Sequence, residues 1–219
     1  MQIAIPLFDR FTALDAVGPY EVLSRLPGAQ VTFAATATGP VRTDTGALAI
    51  TADAALSDVT APDVVVVPGG PGTRAMLEPG PLHDWIRSVH PTTRWTTSVC
   101  TGSLVLGAAG VLRGLEATSH WAAMGELAPL CGTAVDDRRI VAQGKVVTAA
   151  GVSAGIDMAL WLAAQIAGED VAKAIQLGIE YDPQPPFDAG STAKADPAAV
   201  TLLADLVMDR VPSDGPAAP

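Results

Sequence analysis

Short apolar runs rich in β-branched residues alternate along this chain with longer stretches in which apolar side chains recur every three to four positions. These are the signatures of buried strands and amphipathic helices. Gln2 to Phe8 is the first strand-like run. Leu14, Val17, Val22, Leu23 and Leu26 then form a helical stripe, with Pro19 tolerated if the helix begins near it. Gln30 to Ala37 reads as a second strand, and Leu48 to Thr51 as a short one after the polar turn Thr43-Asp44-Thr45-Gly46. Val64 to Val67, four valines in succession, is the pattern of a strand covered on both faces. Pro79 to His90 places Leu82, Trp85, Ile86 and Val89 on one helical face and turns His83 and His90 toward solvent.

Arg94 to Val99 is a further strand, and small and aliphatic residues after Cys100 make a helix ending between Gly110 and Gly114. A short extended piece at Glu116 leads to a helix opened by Ser119 or His120. Arg139 to Ala149 reads as a hairpin around Gly144, followed by helices over 158–168, 169–181 and 197–211. Residues 212–219 are expected to be a frayed tail. Strand and helix signals alternate without repeat, linker or break in composition, which predicts one α/β domain over 1–211 with a mainly parallel sheet between helices.

Charge narrows the range of partners. Thirteen basic against 23 acidic residues give a net charge of −10, and no cluster of Lys and Arg interrupts that balance, so nucleic acid is not an expected partner. The start of the chain lacks the basic region and apolar core of a signal peptide, and no apolar run reaches membrane-spanning length. A cytoplasmic protein is expected. Its two cysteines, Cys100 and Cys131, suggest neither a disulfide nor a metal site, and Cys131 reads as structural.

The candidate chemistry lies at strand ends. Thr96-Thr97-Ser98-Val99-Cys100-Thr101-Gly102-Ser103 reads as strand, sharp turn and helix, the pattern of a nucleophile elbow. A helix beginning there would place amide donors and its positive end beside the sulfur and favour thiolate, although a cysteine in that setting also serves as a small core residue. Asp15 falls in the first strand-to-helix connection, at the same end of the sheet if the strands are parallel. It suits a helix cap as well as an acid. Pro68-Gly69-Gly70-Pro71-Gly72 follows the valine strand, either as a tight turn or as a cradle of exposed amides, and its glycine spacing matches no nucleotide motif. His120 lies far enough along to return to the same edge, as a partner for the cysteine or as a residue that satisfies local backbone.

Together, Leu14-Asp15-Ala16-Val17-Gly18-Pro19, Val67-Pro68-Gly69-Gly70-Pro71-Gly72-Thr73, Ser98-Val99-Cys100-Thr101-Gly102-Ser103, Ala117-Thr118-Ser119-His120-Trp121 and Thr148 to Asp157 resemble the DJ-1/PfpI superfamily. With Ile179 to Phe187 added, they are most similar to its isocyanide hydratase branch. The resemblance implies a flavodoxin-like fold, a homodimer, a small isocyanide substrate, and no cofactor or metal. It implies Cys100 as nucleophile and Asp15 as acid and base, an aspartate where many relatives carry glutamate. Thr101 also matches the branch, and the amides of Gly70 and Thr101, with His120, are expected to line the substrate site. An isocyanide accepts a nucleophile at its terminal carbon and a proton at nitrogen, and hydration gives an N-substituted formamide. Another superfamily activity, on glyoxals, and a cysteine-based oxidative sensor are the alternatives.

Overall fold

In a computed structural model, residues 1–208 are described, and the tail expected at 212–219 lies outside them. The chain divides into two compact units, one over Met1–Tyr181 and one beginning at Asp182. The first unit is built on β1 (Gln2–Pro6), α1 (Ala13–Leu23), β2 (Gln30–Ala35), β3 (Gly39–Arg42), β4 (Ala49–Ala52), β5 (Ala54–Ala55), β6 (Val64–Val67), α2 (Pro81–Val89), β7 (Trp95–Val99) and α3 (Gly102–Ala108). It continues through β8 (Glu116–Ala117), α4 (Met124–Leu127), β9 (Thr133–Ala134), β10 (Ile140–Gln143), β11 (Val146–Ala149), α5 (Ala154–Ala167) and α6 (Glu169–Gly178). The second unit carries α7 (Pro197–Met208). Among the described residues, no helix is long and apolar enough to cross a membrane.

One seven-stranded sheet, in the order β10-β11-β7-β6-β1-β2-β5, organises the first unit. Every pairing is parallel except the β10–β11 hairpin. All four valines of β6 are fully buried, as expected of a central strand covered on both faces. Because β1, β6, β7 and β11 run the same way, the connections that leave Pro6, Val67, Val99 and Ala149 all emerge at one edge. Residues far apart in sequence are therefore brought to that edge.

Several local expectations change in the folded chain. Helix α1 begins at Ala13, so Pro19 sits inside it, and the missing amide leaves the Asp15 carbonyl without its helical partner. The helix is also rotated from the apolar stripe. Leu14 is exposed, whereas Asp15 faces inward and is fully buried. His83 is likewise buried, its ring against the backbone around Met76 and Gly80, and desolvation lowers its pKa. His90 is half-buried and bonds Thr96 Oγ1 through Nδ1 at 2.8 Å. Strands β3 and β9 have no distinct sequence signal. β3 forms an antiparallel pair with β4, and the turn between them docks on the β1–α1 loop, where Asp44 N–H donates to the Phe11 carbonyl.

Helix α3 and the end of β6 meet backbone to backbone at the working edge. A β-carbon on Gly102 would strike the carbonyls of Val67 and Pro68, backbone that cannot move without distorting the sheet. Gly102→Ala is therefore expected to lower stability by about 1–3 kcal/mol, the range for overpacking, measured as a reduced midpoint in urea unfolding.

Candidate functional site

The site begins with a reversal of the chain. Cys100 follows β7 directly and has φ 57°, a left-handed conformation that non-glycine residues adopt at a cost. Its amide donates to the carbonyls of both Ala149 and Ala150 at 3.1 Å, which ties the elbow to the end of β11. Thr101 then takes the N-cap position of α3, a helix of seven residues, without a capping bond from its side chain. The strand, turn and helix expected from the sequence are all present, and Cys100 is 5% exposed.

The glycine loop after β6 supplies the facing wall. Gly69 N–H donates to Asp15 Oδ2 at 2.9 Å, and the Gly69 carbonyl accepts the Thr12 amide at 2.8 Å, so one residue holds both the entry to α1 and its buried acid. A β-carbon at Gly69 would lie 2.5 Å from the Thr101 amide nitrogen, 2.7 Å from Thr101 Oγ1 and 2.9 Å from Asp15 Oδ2. That position admits only glycine. Gly70 has φ 134°, another conformation that favours glycine, and its amide donates to Thr101 Oγ1 at 2.8 Å. The Gly70 N–H expected to face the substrate is therefore engaged by the Thr101 hydroxyl, which also lies 3.2 Å from the Gly70 carbonyl.

Among the described residues, no cation pairs with Asp15, and its own helix gives it no capping amide. Burial lifts its carboxyl from 3.8 to about 7, the Gly69 amide and Cys100 thiol pull it back down, and the charge of Asp44 pushes it up. Its Oδ1 has no hydrogen-bond partner in the protein. The Cys100 thiol is also pushed up, first by burial and then by the Asp15 charge, while the Thr101 amide and hydroxyl draw it down. This differs from the thiolate expected from helix position alone. Desolvation outweighs the few donors at the start of a seven-residue helix, so the sulfur holds its proton more tightly than Asp15 does.

His120 reaches the same edge in a different role. Its Nδ1 accepts the Ala122 amide at 3.2 Å, capping the short turn that leads to α4, and the ring lies over Gly151, where a β-carbon would strike it. Burial and the charge of Arg74 lower its pKa. Trp121 lies alongside, with ring centroids 5.4 Å apart. The structure thus brings Asp15, Cys100, Thr101 and Gly70 to one corner, where Gly69 holds Asp15 and Gly70 bonds Thr101, and sets His120 beside it.

Three further residues take part, of which Gly69 was expected only as one member of the glycine-rich cradle, while Ser103 and Ser119 carried no expected part in the site. Gly69 holds the carboxyl, and Ser103 and Ser119 donate to the Cys100 carbonyl at 3.1 and 3.0 Å. Ser103, three residues after the cysteine, had a local signal for such a bond; Ser119 had none. Cys131 is half-buried in a separate loop. Among the described residues, no group of three or more His, Cys, Asp or Glu side chains is arranged to hold a metal ion.

Comparisons with known proteins agree with this architecture. The family model described as the DJ-1/PfpI family matches residues 1–165. An isonitrile hydratase from Pseudomonas putida is 44% identical over 200 residues, covering 91% of this chain and 87% of that protein. The DJ-1 homolog A of Arabidopsis thaliana is 30% identical over 84% of this chain, which spans 47% of it. The crystal structure of a THiJ/PfpI family protein from Pseudomonas syringae superposes with a TM-score of 0.89 at 37% identity, covering 95% of this chain and 86% of that one. With its sheet, its cysteine elbow and these matches in agreement, the chain belongs to the DJ-1/PfpI family.

Proposed function

We propose that the protein hydrates small isocyanides to N-substituted formamides, with Cys100 as nucleophile and Asp15 as the group that moves protons. The observation that carries this reading is the buried Asp15 carboxyl beside the Cys100 thiol, with one oxygen held by Gly69 N–H and the other free of protein partners. The similarity to an isonitrile hydratase over nearly the whole chain supports the same substrate class.

The chemistry needs a group that accepts and returns a proton several times without leaving the site, and a carboxyl lifted to about 7 is suited to that near neutral pH. As the sulfur bonds to the terminal carbon of the isocyanide, the thiol proton passes to Asp15. The carbon, left with an electron pair, takes that proton and becomes a thioimidate. Water then adds to the same carbon, giving one proton to Asp15, which passes it to the nitrogen. The C–S bond breaks, its electron pair stays on sulfur, and the hydroxyl proton returns through Asp15 to the thiol. One water is consumed and the product is the formamide. In this reading the Thr101 amide steadies the charge on sulfur as it forms and departs, and the Thr101 hydroxyl stays engaged with Gly70.

The test is formamide production from cyclohexyl isocyanide by the purified protein. Cys100→Ala is expected to abolish it, and Asp15→Asn to lower kcat about 10²-fold or more, the scale of lost general acid and base catalysis. Undiminished turnover by Cys100→Ala would rule out the covalent route.

Because the first step needs Asp15 as carboxylate, kcat/KM is expected to rise with pH through about 7, and Asp15→Asn should lack that limb. The same group makes stability depend on pH. Its folded pKa is raised, so its contribution is present below 3.8 and is lost as pH climbs to about 7. The loss is about 4 kcal/mol, because each tenfold change in proton affinity is worth roughly 1.4 kcal/mol. Urea unfolding at pH 4 and pH 8 should therefore show Asp15→Asn gaining on the parent protein at the higher pH.

A further inference from the structure

The Cys100 carbonyl has two hydroxyl donors on elements far apart in sequence. Ser103 Oγ, in the first turn of α3, donates at 3.1 Å, and Ser119 Oγ, between β8 and the His120 turn, donates at 3.0 Å. Both serines are buried, Ser103 completely and Ser119 with 2% exposure. The segment carrying Ser119 is fixed at each neighbour as well. Thr118 N–H donates to Thr148 Oγ1 on β11 at 2.9 Å, and the His120 ring rests on Gly151.

The carbonyl matters because of what shares its plane. The Cys100 C=O and the Thr101 N–H belong to one rigid peptide unit and point in opposite directions. The two hydroxyls, with the Ser103 amide at 3.5 Å, therefore set the direction of the Thr101 amide, and that amide is among the groups that draw the Cys100 thiol down. The restraint has something to resist, since Cys100 holds φ 57° and a residue in that region persists only where its surroundings over-determine it. On the other side of the residue, the amide shared between Ala149 and Ala150 fixes the preceding peptide.

We propose that Ser119, acting with Ser103, is a positioning residue for the nucleophile: the two hydroxyls grip the Cys100 carbonyl and, through the planar peptide, aim the Thr101 amide at Sγ. Ser103 makes a bond within its own turn that any such helix start can form. Ser119 provides the tether from outside the elbow, so its loss frees the peptide to tilt. The amide then loses its aim, and negative charge on sulfur loses a donor. Because the change falls on the charge that forms at sulfur, it acts on kcat more than on KM.

This inference rests on Cys100 being the reacting group. It is tested by alkylation of Cys100 with iodoacetamide across pH, read by mass measurement, which requires no isocyanide turnover. Failure of the hydratase reading would therefore be seen separately, as absence of formamide with the alkylation pattern intact. Ser119→Ala is expected to react about tenfold more slowly than the parent at neutral pH, its profile moved to the alkaline side by roughly one on the pH scale, as loss of one donor to the charged form dictates. Ser119→Thr, which keeps the hydroxyl, should stay within about threefold of the parent, and Ser119→Val, of similar shape without the hydroxyl, should behave like Ser119→Ala. If the Ser119 variants without a hydroxyl do not fold, Ser103→Ala gives the same reading and is expected to shift the profile in the same direction by a smaller amount. A profile in Ser119→Ala or Ser103→Ala that coincides with the parent's would overturn the proposal. So would a slower reaction with an unmoved pH profile, since a purely structural role predicts that result, and so would a parent thiol that fails to react at any pH.

Discussion

The chain's reversal at Cys100 is the constraint on which the rest of the working edge depends. A strand that ends at this residue must pass directly into a helix lying across the neighbouring strand, and the backbone manages this only by entering a left-handed conformation at a side chain that disfavours it. The surroundings explain why it stays there. Gly102 lets α3 settle against the carbonyls that end β6, the amide of Cys100 is shared by two acceptors, and its carbonyl is held by two hydroxyls. These contacts join β6, β7, β11 and the segment after β8 at one point, so the position of the sulfur follows from the sheet and not from a flexible loop.

Two acids meet there in a dry environment. Helix position alone would favour an ionised cysteine, but burial opposes charge on the thiol and on the carboxyl alike, and the Asp15 charge itself works against thiolate. The outcome is a pair in which the carboxyl ionises near neutrality while the sulfur keeps its proton. Such a pair suits chemistry in which the proton leaves sulfur only as a new bond forms. It also means that the site contributes unfavourably to folding above the ordinary carboxylate range, a cost the apolar core of the sheet must offset.

Much of the architecture was legible in the order of residues. Four valines in a row specified a strand buried on both faces, and the β-branched run into Cys100-Thr101-Gly102 specified the elbow, because strand period and turn residue are local properties. The position of Asp15 at the same edge as Cys100 also followed from parallel strands. The details of α1 did not. Its apolar stripe suggested that Leu14 faces the core, yet the helix is turned so that Asp15 goes inward, because the Gly69 amide and the close packing against α5 decide its rotation. His83 was hidden for a similar reason, since the residues that bury it come from the loop before its own helix.

The residue order by itself therefore determined which side chains could do chemistry and the sheet edge to which parallel strands would deliver them. Only the folded chain decided that the Gly70 amide is taken by Thr101, that Gly69 holds the carboxyl, and that Ser119 reaches the cysteine carbonyl. Those bonds join positions 19 to 54 residues apart. Hydrogen bonds act over about 3 Å, and periodicity along a chain carries no information about distances that close between elements only when the sheet is assembled.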